Sequence, residues 1–374
     1  MTDSNESNRY SALGAHPVIN AAGSLTAWGG SNPSADVLQA MEGGNVAFIE
    51  MRELLEKTGE HIARTLDVEA AYVTAGCYTA LVLSTAACVT GKDPEKRDRI
   101  PDTSGMKNKV LIQRKHRYSY DRAYTIPGTR LIEVGDEDGT TSDQLDQAIG
   151  EDTAAVVFLI KSDPNPECVT LEETLKIAHS KGVPVIADAA AQIYPLERFR
   201  ENARSADLVC FGGKYFQAPH STGLLCGKKE LVEAAIDHGF IGPRPFGRGM
   251  KVDRQEVLGF VAAFDGWLSM DHDTRLDGYK QKYNVILTRL EGIPTLKEMK
   301  IVPNSSFWAV GLHLVLDRDV IKKDASQIAE ELLNGTPRVK VGTNGKDTIV
   351  INAHNLSDGD ETALADRLRV VLSG

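Results

Sequence analysis

The sequence has few cysteines and no surplus of positive charge, and each shortage closes off a class of protein. Its five cysteines (Cys77, Cys88, Cys168, Cys210 and Cys226) are an odd number scattered through apolar or loop contexts. That reads as free thiols in a reducing compartment, not a disulfide framework. Lys and Arg number 42 against 52 Asp and Glu, a formal net charge of −10. Polyanion binding leans on clustered cations, so neither nucleic acid nor an anionic membrane surface is expected as a partner. No apolar run reaches the roughly 18 residues of a membrane-spanning helix. The opening stretch Met1–Asn8 carries neither a basic segment nor an apolar core, which argues against a secretory signal. The expectation is a cytoplasmic protein.

What is present is 374 residues of ordinary globular composition, enough for two or three domains and a core without staples. After a polar arm, apolar residues recur at helical spacing from Ser34 to about Leu66. Short apolar runs then follow at Ala70–Val73, Val110–Gln113, Leu131–Val134, Ala154–Ile160, Val183–Ala187 and Leu208–Phe211, with a further strand expected at Thr222–Cys226. Helix-like stretches separate several of them, at Cys77–Val89, Ser142–Ile149 and Leu171–Lys181, and Lys229–His238 adds another. Continuous apolar strands alternating with helices predict an α/β fold with a mostly parallel sheet covered on both faces. Beyond about residue 250 the texture changes. One long helical region, Gln255 to roughly Leu290, leads to short mixed elements such as Trp308–Leu316, Ile321–Leu333, Thr348–Asn352 and Asp360–Leu372. The domain reading is an arm over 1–33, a large domain over 34–250, and a connecting helix with a small α+β domain over 251–374. The segment Gly91–Lys109 reads as a long loop, functional or mobile.

Three segments carry chemistry. In Asp207–Lys214 an apolar strand ends in Gly212, Gly213 and Lys214, where open α/β sheets place their ligands. A lysine drawn partly out of water loses basicity and can form a Schiff base; a surface lysine at a turn fits the segment as well. No phosphate-binding G-x-x-x-x-G-K-[ST] pattern is satisfied there. In Val183–Ala191 a strand delivers Asp188 into small residues, which suits either a buried acid awaiting a cationic partner or an Asp capping the next helix. In Ala70–Ala80 a strand passes through a tight turn at Thr74, Gly76 and Cys77 into a helix, whose first N–H groups suit a phosphate. The three in this order are more telling than any one of them.

The wording of these stretches resembles fold-type I enzymes of pyridoxal phosphate (PLP), in the group that contains selenocysteine synthase and D-glucosaminate-6-phosphate ammonia-lyase. The likeness runs through VINAAGSLTAWGGS at 18–31, Glu69–Ala80, QRKHRYSYDR at 113–122, Pro184–Ala191, DLVCFGGKYFQAPHSTGLLCG at 207–227 and GRGMK at 247–251. It covers most of residues 18–260 and fades beyond. The resemblance implies an aspartate aminotransferase-like large domain with a seven-stranded sheet, and a smaller C-terminal domain. It implies that Lys214 is the Schiff-base lysine and proton shuttle, that Asp188 pairs with the pyridine nitrogen, and that Gly76 and Cys77, with Thr74 nearby, receive the phosphate. It also implies that His116 stacks on the cofactor, that Arg338, Arg248 and Asn20 serve the substrate, and that the chain works as a homodimer or larger homo-oligomer.

Departures from the group sit beside the cofactor. Phe211 stands where relatives usually carry a phosphate-binding serine, so the phosphate needs another partner, and Cys77 replaces a small alanine. The acidic balance and the early start of the homologous core argue against the tRNA role of selenocysteine synthase. The expected function is therefore a small-molecule lyase that removes the Cα proton of an amino acid or amino sugar acid and eliminates a β-substituent. Aminotransfer, β-replacement, aldol cleavage and racemisation remain open as alternatives, and so does a catalytically silent binding protein.

Overall fold

A computed structural model describes residues 6–242, 244–303 and 309–373. The chain divides into two compact units: Asn32–Ser269, and Met1–Ser31 together with Met270–Gly374.

The larger unit is built on a seven-stranded sheet. In spatial order its strands are Ala70–Thr74, Gly223–Gly227, Leu208–Gly212, Val185–Asp188, Thr153–Leu159, Lys109–Gln113 and Arg130–Val134. Gly223–Gly227 runs antiparallel to both neighbours, and the other pairings are parallel. Every residue of Val185–Asp188, Leu208–Gly212 and Gly223–Gly227 is buried, which is why these strands read as unbroken apolar runs. On one side the helix Gly76–Thr90, apolar around most of its circumference, packs under the central strands. Helix Met51–Leu66 buries Leu55, Ile62 and Leu66. It presses so near the sheet that a Cβ at Gly59 would sit 2.3 Å from the Ala71 carbonyl oxygen. The opposite side of the sheet holds an aromatic core in which Phe199 meets Phe211 at 5.1 Å and Phe216 at 5.4 Å, with Phe260, Phe264 and Trp267 beyond Phe216.

The smaller unit has a five-stranded sheet in the order Ile19–Ala21, Val339–Asn344, Thr348–Ile351, Val310–Leu316 and Leu296–Pro303. The first pairing is parallel and the rest antiparallel. Inward residues Leu312, Leu314, Ile349 and Ile351 pack with Ile286, Leu332 and Leu368 from its helices. Of the strand expected over Trp308–Leu316, Trp308 lies outside the described residues.

Three expectations change in detail. The helical region from Ser34 is two helices, Ala35–Gly43 and Met51–Leu66, broken after the Gly43-Gly44 pair. The single helix expected from Gln255 to Leu290 is also two, Arg254–Ser269 and His272–Leu290. Asp271 starts the second by accepting the N–H groups of Asp273 and Thr274, an N-cap that a periodicity count passes over. Within 91–109, Pro94–Arg99 is helical, capped by Asp93. No helix among the described residues is long and apolar enough to cross a membrane.

Candidate active site

The carboxyl ends of the central strands gather the chemistry. Asp188 closes its strand in register with Cys210 on one neighbour and Leu159 on the other. Because side chains alternate along a strand, Asp188 and Cys210 share the face toward helix Gly76–Thr90, where Cys210 Sγ lies 3.6 Å from Ser84 Oγ. The Asp188 carboxylate is 4% exposed. Its Oδ1 accepts the Ala190 N–H at 3.0 Å and the Cys77 thiol at 3.7 Å, and its Oδ2 accepts the Tyr118 hydroxyl. Burial raises its pKa, and these three donors only partly counter that. All three are neutral.

Lys214 follows the next strand in a short 3-10 turn, Gly213–Phe216, that ends with Gln217 in the left-handed region at φ 62°. The paired glycines before it are demanded by packing. A Cβ at Gly213 would lie 2.1 Å from Thr222 Oγ1, and one at Gly212 would meet the Tyr215 ring at 2.9 Å. Lys214 Nζ sits 5.1 Å from the centre of that ring. Its half-buried position lowers the amine pKa, raising the share of free base that can act as nucleophile or proton acceptor.

The turn into helix Gly76–Thr90 completes the cluster. Gly76 adopts φ 82°, a conformation glycine takes without steric cost. Thr74 Oγ1 donates to the Gly76 carbonyl at 3.0 Å, so its hydroxyl closes the turn. Ala75 at the N-cap offers no side-chain acceptor, leaving the first-turn N–H groups for an anion. Gly223 keeps this turn tight against the sheet, since a Cβ there would lie 2.6 Å from Cys77 N.

A buried acid ringed by neutral donors, a half-buried lysine and an uncapped helix start form a donor set that fits PLP. Residues 121–243 match the aminotransferase class-V family model. A D-glucosaminate-6-phosphate ammonia-lyase of Salmonella typhimurium is 34% identical over 272 residues, which is 70% of each chain. The chain belongs to that ammonia-lyase's family. A solved structure of D-glucosaminate-6-phosphate ammonia-lyase superimposes with a TM-score of 0.85 at 26% identity, over 100% of this chain and 99% of the other. A 5'-C-glycyluridine monooxygenase-decarboxylase from a Streptomyces species is 28% identical over 337 residues, 88% of this chain and 83% of that one. The family is one of PLP-dependent enzymes with the aspartate aminotransferase-like fold, and this chain is an enzyme of that class.

Within this family framework, Asp188, Cys77, Gly76, Thr74 and Lys214 meet in one cluster. His116 is buried at the end of a neighbouring strand, its ring edge-on to Phe158 at 4.6 Å, and its Nδ1 accepts the Leu159 N–H at 3.5 Å. It touches the strand position beside Asp188, and burial lowers its pKa to about 4. Arg248 is exposed and donates to the Phe240 carbonyl. In the smaller unit, Arg338 donates to the carbonyls of Leu333 and His16. There too, Asn20 closes its own turn, accepting from Ala22 N and donating to Gly23 O.

Phe211 explains its departure from the group. Its ring points away from Asp188 into the aromatic core, so it leaves the Asp188 side of the strand altogether. The residues that motif reading missed are Tyr118 and Tyr124, whose hydroxyls lie 3.3 Å apart next to Asp188. The signal was present in QRKHRYSYDR, two positions past His116, but only the fold turns that tyrosine toward a residue 70 positions away.

Proposed function

We propose that this chain is a PLP-dependent lyase that deaminates a small amino acid or amino sugar acid by Cα-proton removal and β-elimination. The observation that carries the reading is the buried Asp188 with neutral donors only, facing a lysine of lowered basicity across a helix start open to an anion. The residues present would hold PLP through Lys214 at its carbonyl carbon, Asp188 at its ring nitrogen, and the amides of Gly76 and Cys77 at its phosphate. Bound there, PLP supplies the electron sink for negative charge developing at the substrate Cα.

Lys214, half-buried and of lowered basicity, would take the Cα proton as general base and then, as an ammonium, return a proton to the departing β-substituent. The elimination removes H–X from the amino acid, and water then converts the enamine product into a keto acid and ammonia. Asp188, accepting from its three neutral donors, would stabilise positive charge on the ring nitrogen through a charge-assisted hydrogen bond. Thr74 keeps the phosphate turn closed. Arg248, Arg338 and Asn20 are the substrate-side candidates, and His116 packs at the rim as a neutral ring.

The working unit in this reading is a cytoplasmic homodimer without nucleic-acid or membrane partners, which the acidic balance supports. An exposed apolar segment also supports it: Val46 is 87% and Phe48 91% exposed, a surface that a second copy can cover.

The test is to load purified protein with PLP and offer plain and phosphorylated amino and amino sugar acids. Keto acid and ammonia should form in equal amounts. Keto acid without ammonia would overturn elimination in favour of aminotransfer. Oxygen uptake with carbon dioxide release would align the chain instead with its Streptomyces relative.

A further inference from the structure

We propose that Tyr118 is the positioning residue for Asp188, its hydroxyl backed by that of Tyr124 and aiming the carboxylate at the cofactor ring. The inference deepens the functional reading above and rests on it.

A carboxylate offers about four acceptor positions. Ala190 N–H and the Cys77 thiol take two on Oδ1, and the Tyr118 hydroxyl takes one on Oδ2. One position remains, which suits a single N–H donor. Since Tyr118 gives its proton to Asp188, Tyr124 must be the donor in the pair 3.3 Å apart, so a chain runs from Tyr124 through Tyr118 to Asp188. Hydroxyls in series polarise one another in a medium of low permittivity.

Both phenols are held far from ionising by burial and by the Asp188 charge, so they remain donors over the working pH range. The other groups facing this pocket are Cys77 from the helix, Cys210 from the adjacent strand, and Lys214 with Tyr215 from the turn.

Tyr118 is itself fixed from behind. Its backbone N–H donates to Asp121 Oδ2 at 3.2 Å, and buried Asp121 is locked by Arg117, which also pairs with Glu133. A tyrosine whose backbone is anchored by a buried aspartate that is itself ion-paired, with its hydroxyl on the acid, is arranged for orientation and not for mere filling.

Tyr118→Phe keeps the ring and removes only the hydroxyl. Its dissociation constant for PLP, read by fluorescence quenching on titration, should rise about tenfold, the scale of one lost hydrogen bond to a charged acceptor. The midpoint of the pH dependence of the visible cofactor band should shift from wild type. Tyr124→Phe should move both readouts the same way and less. In the double variant with Asp188→Asn, the Tyr118 change should add nothing further. Tyr118→Phe binding PLP within twofold of wild type with an unmoved midpoint, or an effect fully additive with Asp188→Asn, overturns the inference. A fold defect would show in circular dichroism of the apoprotein; the Tyr124→Phe series then decides, an unmoved midpoint there overturning the relay. Wild-type protein that neither binds PLP nor is labelled at Lys214 on borohydride reduction overturns the functional reading, and this inference with it. A silent Tyr118→Phe overturns this inference alone.

Discussion

Two regions on opposite faces of one sheet put burial to opposite uses. On one face, Asp188, Cys77, Tyr118 and Lys214 are polar groups pulled out of water, and burial shifts the proton affinities of Asp188 and Lys214. On the other, Phe199, Phe211 and Phe216 exclude water and contribute cohesion. Cys210 and Phe211 are adjacent in sequence yet belong to different faces, because a strand reverses its side chains at every step. A substitution a few residues from Lys214 in sequence can therefore lie outside the candidate site in space.

The largest expected effect is on the chemical face. Lys214→Ala should abolish borohydride-dependent labelling and lower turnover by about 10³ or more, as removal of an essential base does. Retained labelling would place the Schiff-base lysine elsewhere.

Phe211→Ala tests the other face. It should cost about 3–5 kcal/mol of unfolding free energy, the range for a large buried aromatic, measured by urea denaturation of the apoprotein. Phe211→Ser, which places a hydroxyl at that position, should lose as much and gain no PLP affinity. A gain would mean that position 211 can reach the phosphate.

Asp188→Asn should separate the two uses of burial in one residue. The folded-state pKa of Asp188 is raised, so the native state binds the proton more tightly than the unfolded chain. Stability of the apoprotein then falls as pH rises from the ordinary carboxylate value of 3.8 through the folded value. Above that window the ionised group is a cost, and Asp188→Asn apoprotein should melt at or above the wild-type temperature while binding PLP more weakly.

Buried histidines outside the cluster give the reverse slope. His116 and His238 are lowered from the ordinary 6.5 to about 4 by burial. Between those values the unfolded chain binds protons that the folded chain does not, so stability is whole above pH 6.5 and is lost as pH falls toward 4. Each ring accounts for up to about 3 kcal/mol of that loss. His238→Leu should flatten the acid limb, since Thr90 Oγ1, its partner at 2.8 Å, keeps the Ala86 carbonyl. The smallest effect is expected from Cys77→Ala, which removes a long, weak thiol donor at 3.7 Å and should change PLP affinity by no more than a few-fold.

The order of strands and helices was readable because apolar runs and helical periods are local. The three motif segments were readable for the same reason, each being a strand end whose glycines and charges lie within a few residues. The break at Asp271 was missed because a cap competes with periodicity through side-chain hydrogen bonds to the next helix's first N–H groups. The one after Gly43-Gly44 was missed because two glycines end a helix without disturbing the apolar period. His116 shows the limit in another way. The motif marks it as special, yet its ring meets Phe158 and the Leu159 amide, contacts set by a strand 40 residues on.

By itself the sequence determined the α/β class, the acidic charge balance, and the candidate trio of phosphate turn, acid and lysine. Those follow from composition and from spacing along the chain. Tertiary structure alone decided that Phe211 belongs to the aromatic core, that Cys77 reaches Asp188 across 111 positions, and that two tyrosines stand behind the acid. Facing across a sheet depends on register and on the parity of each strand, and a linear pattern carries neither until the strands are paired.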